Sequence, residues 1–407
     1  MIVEFSVKNF KSIKDLQTVS FVAAPIVSKY KNLDTDNVFQ ATEKDTLLKT
    51  VGLYGANGSG KSNLVKALQA MTLFVKQSFN NDKLGSEIVI PFAYTTQTLQ
   101  SPTFFQIVFF LSGKKYRYGF EILGDTVVTE WLFGTAQKNE VVYFTREKNK
   151  IDINKTQFSE GIGAEKRTRP TSLFLNVADA LNGQIAESVK TYLTDYIIVS
   201  SNDLPFRDLS IRYLENETDK KMLLELLHYA DLGITDLAKV DIPDSLPESV
   251  KKRLGNGLVS IRQGDNGLIN SPFDLNESEG TKKFFNYSSL LLMALKMGKA
   301  VILDEFDAQF HPLLSKKIIE LFHASTNQKS AQLLFVTHDT HLLDARLMRR
   351  DQIYFVEKNQ KGESSFYSLA DFKGIRNDAS FEKDYIKGKY GAIPFLGNFE
   401  QLTAHGI

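Results

Sequence analysis

The 407-residue chain contains no cysteine, which excludes disulfides, thiolate nucleophiles and cysteine-ligated metals. It has almost no charge imbalance. With 49 Lys and Arg against 48 Asp and Glu the net charge is +1, so bulk charge favours neither nucleic acid nor an anionic membrane as partner; local patches stay open. Long hydrophobic runs are missing too. The most apolar helix-like stretch, "YSSLLLMALKMG", is interrupted by Lys296 and is too short to span a bilayer. The N-terminal "MIVEFSVKNFKSIKD" is charged throughout and lacks the apolar core of a signal peptide. These absences lead us to expect a cytoplasmic protein with no membrane partner. There is no internal repeat, low-complexity tract or long heptad array, and no HEXXH-type site, serine triad or spaced acidic metal cluster. What remains is an ordinary globular composition, 43% hydrophobic and 24% charged. The length exceeds one compact core and predicts two lobes or one domain with a large insertion.

Periodicity predicts a strand in "IVEFSVKNF" and a more buried one at residues 48–55, followed by a helix with apolar residues at Leu64, Ala67, Leu68, Met71, Phe74 and Val75. Residues 102–144 read as strands with turns at "LSGKK" and "LGDT". "ESVKTYLTDY" and "DKKMLLELLHYADLG" read as helices, and residues near 155–170 and 241–272 as loops rich in Gly, Pro, Asn and charge. A helix at 281–297, strand 300–303, helix 313–324 and strands 331–336 and 352–356 complete the pattern. Such alternation predicts an α/β fold with a mostly parallel sheet, an N-terminal antiparallel β region and a mixed, partly helical insertion. The expected parts are residues 1–145, an insertion at 146–270, and residues 271–407.

Gly55-Ala56-Asn57-Gly58-Ser59-Gly60-Lys61-Ser62 fits G-x-x-x-x-G-K-[ST] and lies between a predicted buried strand and a predicted amphipathic helix, the context that motif needs. Glycines let backbone N–H groups turn around phosphates, and the helix N-terminus adds partial positive charge. Lys61 would reach the β- and γ-phosphates, and Ser62 would offer its hydroxyl to Mg²⁺. The apolar run "KAVILDEFD" ends in Asp304, placed to hold Mg²⁺ opposite Ser62, and Glu305, placed to deprotonate the attacking water. A second buried run, "AQLLFVTHDTHLL", ends at His338, a candidate hydrogen-bond partner for the γ-phosphate or that water; His341 is the weaker candidate. Ser278-Glu279-Gly280 opens a predicted helix just before the acidic strand. A serine there is an ordinary helix cap, but a hydroxyl, a bare backbone and a helix N-terminus also make an anion site.

This order of motifs resembles the ABC-type AAA ATPases of the SMC, RecF and OLD branch, in which a serine-glycine signature binds the γ-phosphate held by the opposite subunit. "VKNFKSIKD", "SEGTKKFF", "DEFDAQFHP", "THDTHLLD" and "RNDASFEKDYIKGKYGAIP" are similar to the AbiLi-like and RloA-like ATPases of bacterial abortive-infection systems. The resemblance implies an ABC-ATPase head that binds ATP and Mg²⁺, hydrolyses ATP, and closes as a homodimer on two nucleotides. It adds Lys11, Ser12 and Asn63 to the nucleotide-binding set. It also implies an anti-phage role beside a separately encoded effector, RloB-like or Toprim-containing; nucleic acid or a phage component as trigger stays open. The departures from transporter ATPases are a Ser-Glu-Gly-Thr signature, more than 200 residues between Lys61 and Ser278, and His311 where those subunits carry an aspartate. His311-Pro312 either starts a helix or contacts another subunit. The insertion is too short for an SMC arm, and too few residues follow the last predicted strand for an OLD nuclease domain, so toxic chemistry is expected in another chain. Gln106 is a candidate glutamine-loop residue. Basic clusters at 166–169, 251–253 and 346–350 are candidate nucleic-acid contacts or solvated faces. "KGKYGAIPF" reads equally as a surface loop, a docking tail or packing over the sheet. The alternatives are a RecF- or SMC-like DNA-repair ATPase and a scaffold that holds ATP structurally.

Overall fold

The computed structural model describes every residue except 137–138, 201–205, 256, 376–378, 395–396 and 398–407. Its centre is a six-stranded sheet in the order Ile197–Ser200, Ala300–Leu303, Gln332–Val336, Thr50–Tyr54, Ile353–Lys358, Ser364–Ser368. The first five strands are parallel and the last is antiparallel. The middle strands are apolar without alternation because both faces are covered. Ile302, Leu334 and Val336 face one core, while Val301, Leu303, Leu333 and Phe335 face another.

On the first face lies helix Lys61–Gln77, packed through Leu64, Leu68, Met71, Phe74 and Val75. Above it sits a seven-stranded antiparallel sheet in the order Lys150–Ile153, Asn139–Glu147, Thr126–Ala136, Lys114–Leu123, Thr103–Leu111, Ile2–Lys8, Gln17–Ser20. The helix after the phosphate loop is therefore held between two sheets, which fixes its N-terminus. The second face is covered by helices Glu279–Met297 and Pro312–His323 through Phe284, Leu291, Ile318 and Phe322. Among the described residues no helix is long and apolar enough to cross a membrane.

The starts of the central strands are pinned by buried polar groups. Gln332 Oε1 accepts from Ile2 N at 2.6 Å and its Nε2 donates to Ile2 O and Leu48 O. Gln352 Nε2 donates to Thr50 Oγ1 at 2.8 Å, which leaves the Thr50 hydroxyl proton for His323 Nε2, also at 2.8 Å. Burial holds the His323 pKa down to about 3, aided by the nearby Lys49 charge.

Two expectations need correction. Residues 241–272 are not mainly loop: they contain helix Glu248–Leu254 and a hairpin of Leu258–Gly264 with Gly267–Pro272, extended by Asp236–Lys239 into a three-stranded sheet. The Gly, Asn and Asp that suggested a loop form the hairpin turn between Gly264 and Gly267, while Leu258 and Ser260 alternate inward. The predicted strand at 48–55 begins later, because Lys49 breaks it from the short strand Thr46–Leu48. Strand Ile197–Ser200 was not predicted. It pairs with the acidic strand as a sheet edge, supplied by the segment expected to be insertion.

Candidate functional site

The phosphate loop leaves the C-terminal end of Thr50–Tyr54, at the middle of the parallel sheet, where loops of neighbouring strands converge on one crevice. Gly58 and Gly60 have φ of 74° and 107°, the left-handed region that glycine enters freely. At Gly60 a Cβ would lie 2.2 Å from Ser364 Oγ and 2.6 Å from Ser12 Oγ, so any side chain would push aside the two serines packed against the loop. Asn57 and Gly58 are exposed at its mouth. Ser59 Oγ is buried with no hydrogen-bond partner among the described residues. The Lys61 side chain is buried and its Nζ donates to Gly55 O at 2.7 Å and Ala56 O at 3.0 Å. Burial lowers its pKa to about 8 against the opposing pull of Asp304 and Asp307.

Across the crevice, Ser62 Oγ donates to Asp304 Oδ1 at 3.0 Å. A hydroxyl and a carboxylate thus meet beside the lysine, the donor set suited to Mg²⁺ with a bound triphosphate. Burial raises the Asp304 pKa, and the Glu305 charge adds to that while the Ser62 bond opposes it. Glu305 is exposed, with φ of 48°. A non-glycine residue held there stores on the order of 1–3 kcal/mol of strain, a feature that clusters at functional sites. His338 lies at the exposed end of Gln332–Val336. Partial burial and then the Lys61 charge hold its pKa below the usual imidazole value, while Asp307, Glu305 and Asp304 pull the other way.

The N-terminal segment joins this group. Ser12 Oγ accepts from Asn63 Nδ2 at 2.6 Å and lies 2.7 Å from Ser364 Oγ, whose hydroxyl donates to Ser59 O at 2.6 Å. Lys11, at φ 49°, donates its backbone N–H to Ile90 O. Its side chain lies over the Phe10 ring, and burial with the Lys66 charge lowers its pKa. Ser364 escaped the sequence reading because nothing near it in the chain marks it.

The Ser278 segment is a true helix cap: Ser278 Oγ accepts from Thr281 N at 3.1 Å. Glu279 is exposed and pairs with Lys282. Gly280 is needed for close packing, since a Cβ there would lie 2.6 Å from Gln309 O. One turn on, Lys283 Nζ donates to Glu305 O at 3.0 Å and Ala308 O at 2.9 Å, tying this helix to the acidic loop. Lys283 too went unread in the sequence. Among the described residues no hydrogen bond runs from Ser278, Glu279 or Gly280 to the phosphate loop of the same chain.

Other candidates fall outside this centre. His311 Nδ1 accepts from Leu313 N at 3.3 Å and caps helix Pro312–His323. His341 is exposed and bonded to Asp339. Gln106 accepts from Arg117 at 3.5 Å within the antiparallel sheet. Arg349 is buried between Asp34 and Asp351, which corrects its reading as a surface cation. Arg169 bonds Asp82. The side chains of Lys252 and Arg253, residues 376–378 and Phe395 lie outside the described residues.

Three solved structures are among those this chain is similar to. The SMC head domain from Thermotoga maritima is 13% identical, with 90% of this chain and 98% of that chain covered and a TM-score of 0.43. An SMC head bound to the C-terminal winged-helix domain of ScpA is 14% identical, covering 90% and 97%, with a TM-score of 0.45. An SMC head with an extended coiled coil, bound to the C-terminal domain of ScpA derived from Pyrococcus furiosus, is 12% identical, covering 95% and 98%, with a TM-score of 0.44. No curated protein matches the chain. Residues 51–344, which hold the phosphate loop, the Ser278 segment, the acidic strand and His338, match the family described as "AAA domain, putative AbiEii toxin, Type IV TA system", and the chain belongs to that AAA family.

Proposed function

We propose that the protein is an ATP-hydrolysing switch: an ABC-type ATPase subunit of a bacterial abortive-infection system that dimerises on ATP and controls a separately encoded effector. The observation that carries the ATPase reading is the 3.0 Å contact of Ser62 with Asp304, which brings the phosphate loop and the acidic strand together beside Lys61. The family description supports the defence context.

In this reading Lys61 pairs with the β- and γ-phosphates, and the backbone of Gly58 to Lys61 wraps them. Ser62 and Asp304 would hold Mg²⁺, which would supply positive charge against the phosphates. Glu305 orients the attacking water and takes its proton. His338, kept neutral by its lowered pKa, donates from one ring nitrogen toward the γ-phosphate or the water. Lys11, Ser12 and Asn63 brace the loop from the N-terminal side. Ser278, Glu279 and Gly280 face the nucleotide of a second copy, and Lys283 relays their position to Glu305. Residues 1–145 and 271–407 form most of the ATPase head on this view, and 146–270 is inserted except for Ile197–Ser200, which completes the central sheet; the effector is a protein of the RloB-like or Toprim class.

Glu305→Gln tests the chemistry. ATP binding should persist while hydrolysis falls on the order of 10²–10⁴-fold, the loss expected for a general base. Turnover at the wild-type rate would remove Glu305 from the mechanism.

A further inference from the structure

The segment "KGKYGAIPF", which the sequence left unranked, touches the nucleotide site. Ala56 N–H, in the phosphate loop, donates to Ala392 O at 2.9 Å. The same carbonyl accepts from Tyr385 Oη at 3.0 Å. Ala392 is buried and sits at φ 55°, a left-handed conformation that an alanine adopts only where its surroundings compel it. The preceding Gly391 has φ 67°, and a Cβ there would lie 2.7 Å from Tyr367 Oη and 3.0 Å from Glu357 Oε2. Tyr367 Oη in turn donates to Tyr390 O at 2.8 Å.

The rings beneath this turn explain what holds it. Phe355 stacks on Tyr385 at 5.2 Å and 12°, and on Tyr390 at 5.5 Å and 24°. It also neighbours Tyr367, at 6.0 Å, and Tyr54, at 6.4 Å, the residue that leads into Gly55. The segment is thus anchored on Ile353–Lys358, the strand paired with the phosphate-loop strand. Gly55 fits against the same strand, since a Cβ there would lie 2.3 Å from Val356 O.

We propose that Tyr385 and the Gly391-Ala392 turn form a strap that positions the phosphate loop for nucleotide, an inference that rests on the reading of that loop as the ATP site. The strap turns the Ala56 N–H outward and fixes the first residues of the loop, while Ser12 and Ser364 fix Ser59 and Gly60 on the far side. Between these two clamps Ser59 N–H donates to Ala56 O at 3.1 Å and closes the loop into a turn. Preorganisation of this kind lowers the ordering cost of binding. By linkage, whatever displaces the strap weakens ATP binding, and ATP holds the strap down by the same factor.

Tyr385→Phe is the decisive variant, because it keeps the ring on Phe355 and removes only the hydroxyl that bonds Ala392 O. In the full chain with Mg²⁺-ATP, affinity should fall about threefold to tenfold, the range of one net hydrogen bond, with kcat at saturating ATP unchanged. Hydrogen exchange should quicken in the peptide spanning Ala56 and not in the antiparallel sheet. Gly391→Ala should give a larger loss in the same direction; if it does not fold, Tyr385→Phe decides alone. Wild-type affinity and wild-type exchange at Ala56 in Tyr385→Phe overturn the strap, provided the wild type binds ATP and Lys61→Ala does not. Quickened exchange throughout both sheets also overturns it, since it shows general loosening. A wild type that does not bind ATP overturns the site and the strap together.

Discussion

A lysine whose pKa is about 8 should make ATP affinity depend on pH where an ordinary lysine would not. Lys61 owes this value to burial under the loop, where only the carbonyls of Gly55 and Ala56 and the more distant Asp304 and Asp307 offset the cost of its charge. Phosphates placed against it would restore the charge, so binding takes up a proton wherever the free lysine has lost one. At pH 9.5 only about one free molecule in thirty keeps that proton, so ATP should bind roughly 30-fold more weakly than near pH 7, about 2 kcal/mol. Folding responds with the opposite sign. Between about pH 8 and 10.4 the unfolded chain binds more protons at this lysine than the folded chain, so folding stability rises with pH there. A weaker complex at high pH is then not a sign of unfolding. The assay is fluorescent ATP binding at fixed free Mg²⁺ from about pH 7.5 upward, with circular dichroism to confirm the fold. A binding constant that stays flat to pH 9.5 would refute either the buried state of Lys61 or its place against the phosphates. Lys61→Arg should abolish the pH dependence whatever its own affinity, because guanidinium does not titrate in this range.

Two other outcomes follow from the geometry. In the Glu305→Gln background, Ser278→Arg should prevent ATP-driven dimerisation in size-exclusion chromatography, while costing only about 1 kcal/mol of stability for the lost cap; a normal dimer would reduce Ser278 to a cap. His323, held near pKa 3 in the fold and free to protonate near 6.5 when unfolded, contributes stability that is present above pH 6.5 and lost as pH falls toward 3. Its share of the loss at pH 4.5 is about 3 kcal/mol. Urea titrations should show a shallower acid loss in His323→Gln, and identical slopes would contradict a neutral buried imidazole.

Contiguous signals carried most of what could be read in the chain alone. The phosphate loop needs eight consecutive residues between a buried strand and an amphipathic helix, and each of those properties is local. The same holds for the acidic strand, predicted at 300–303 and found at Ala300–Leu303, and for the cap at Ser278, where a hydroxyl precedes a helical period. Local composition misled where a short hairpin used Gly, Asn and Asp for its turn, because turn residues and loop residues are the same residues. The parts of the site that join distant segments could not be read at all. Ser62 meets Asp304 across 242 positions, and Ser364 meets Ser12 across 352. Ser364, Lys283, Tyr385 and Ala392 are common residue types whose roles come only from which strand ends the sheet sets side by side. The sequence alone determined that there is a phosphate-loop motif, an acidic strand end and a capped helix. Tertiary structure decided which groups clamp that loop, because strand order in a parallel sheet is set by packing on both faces rather than by order along the chain.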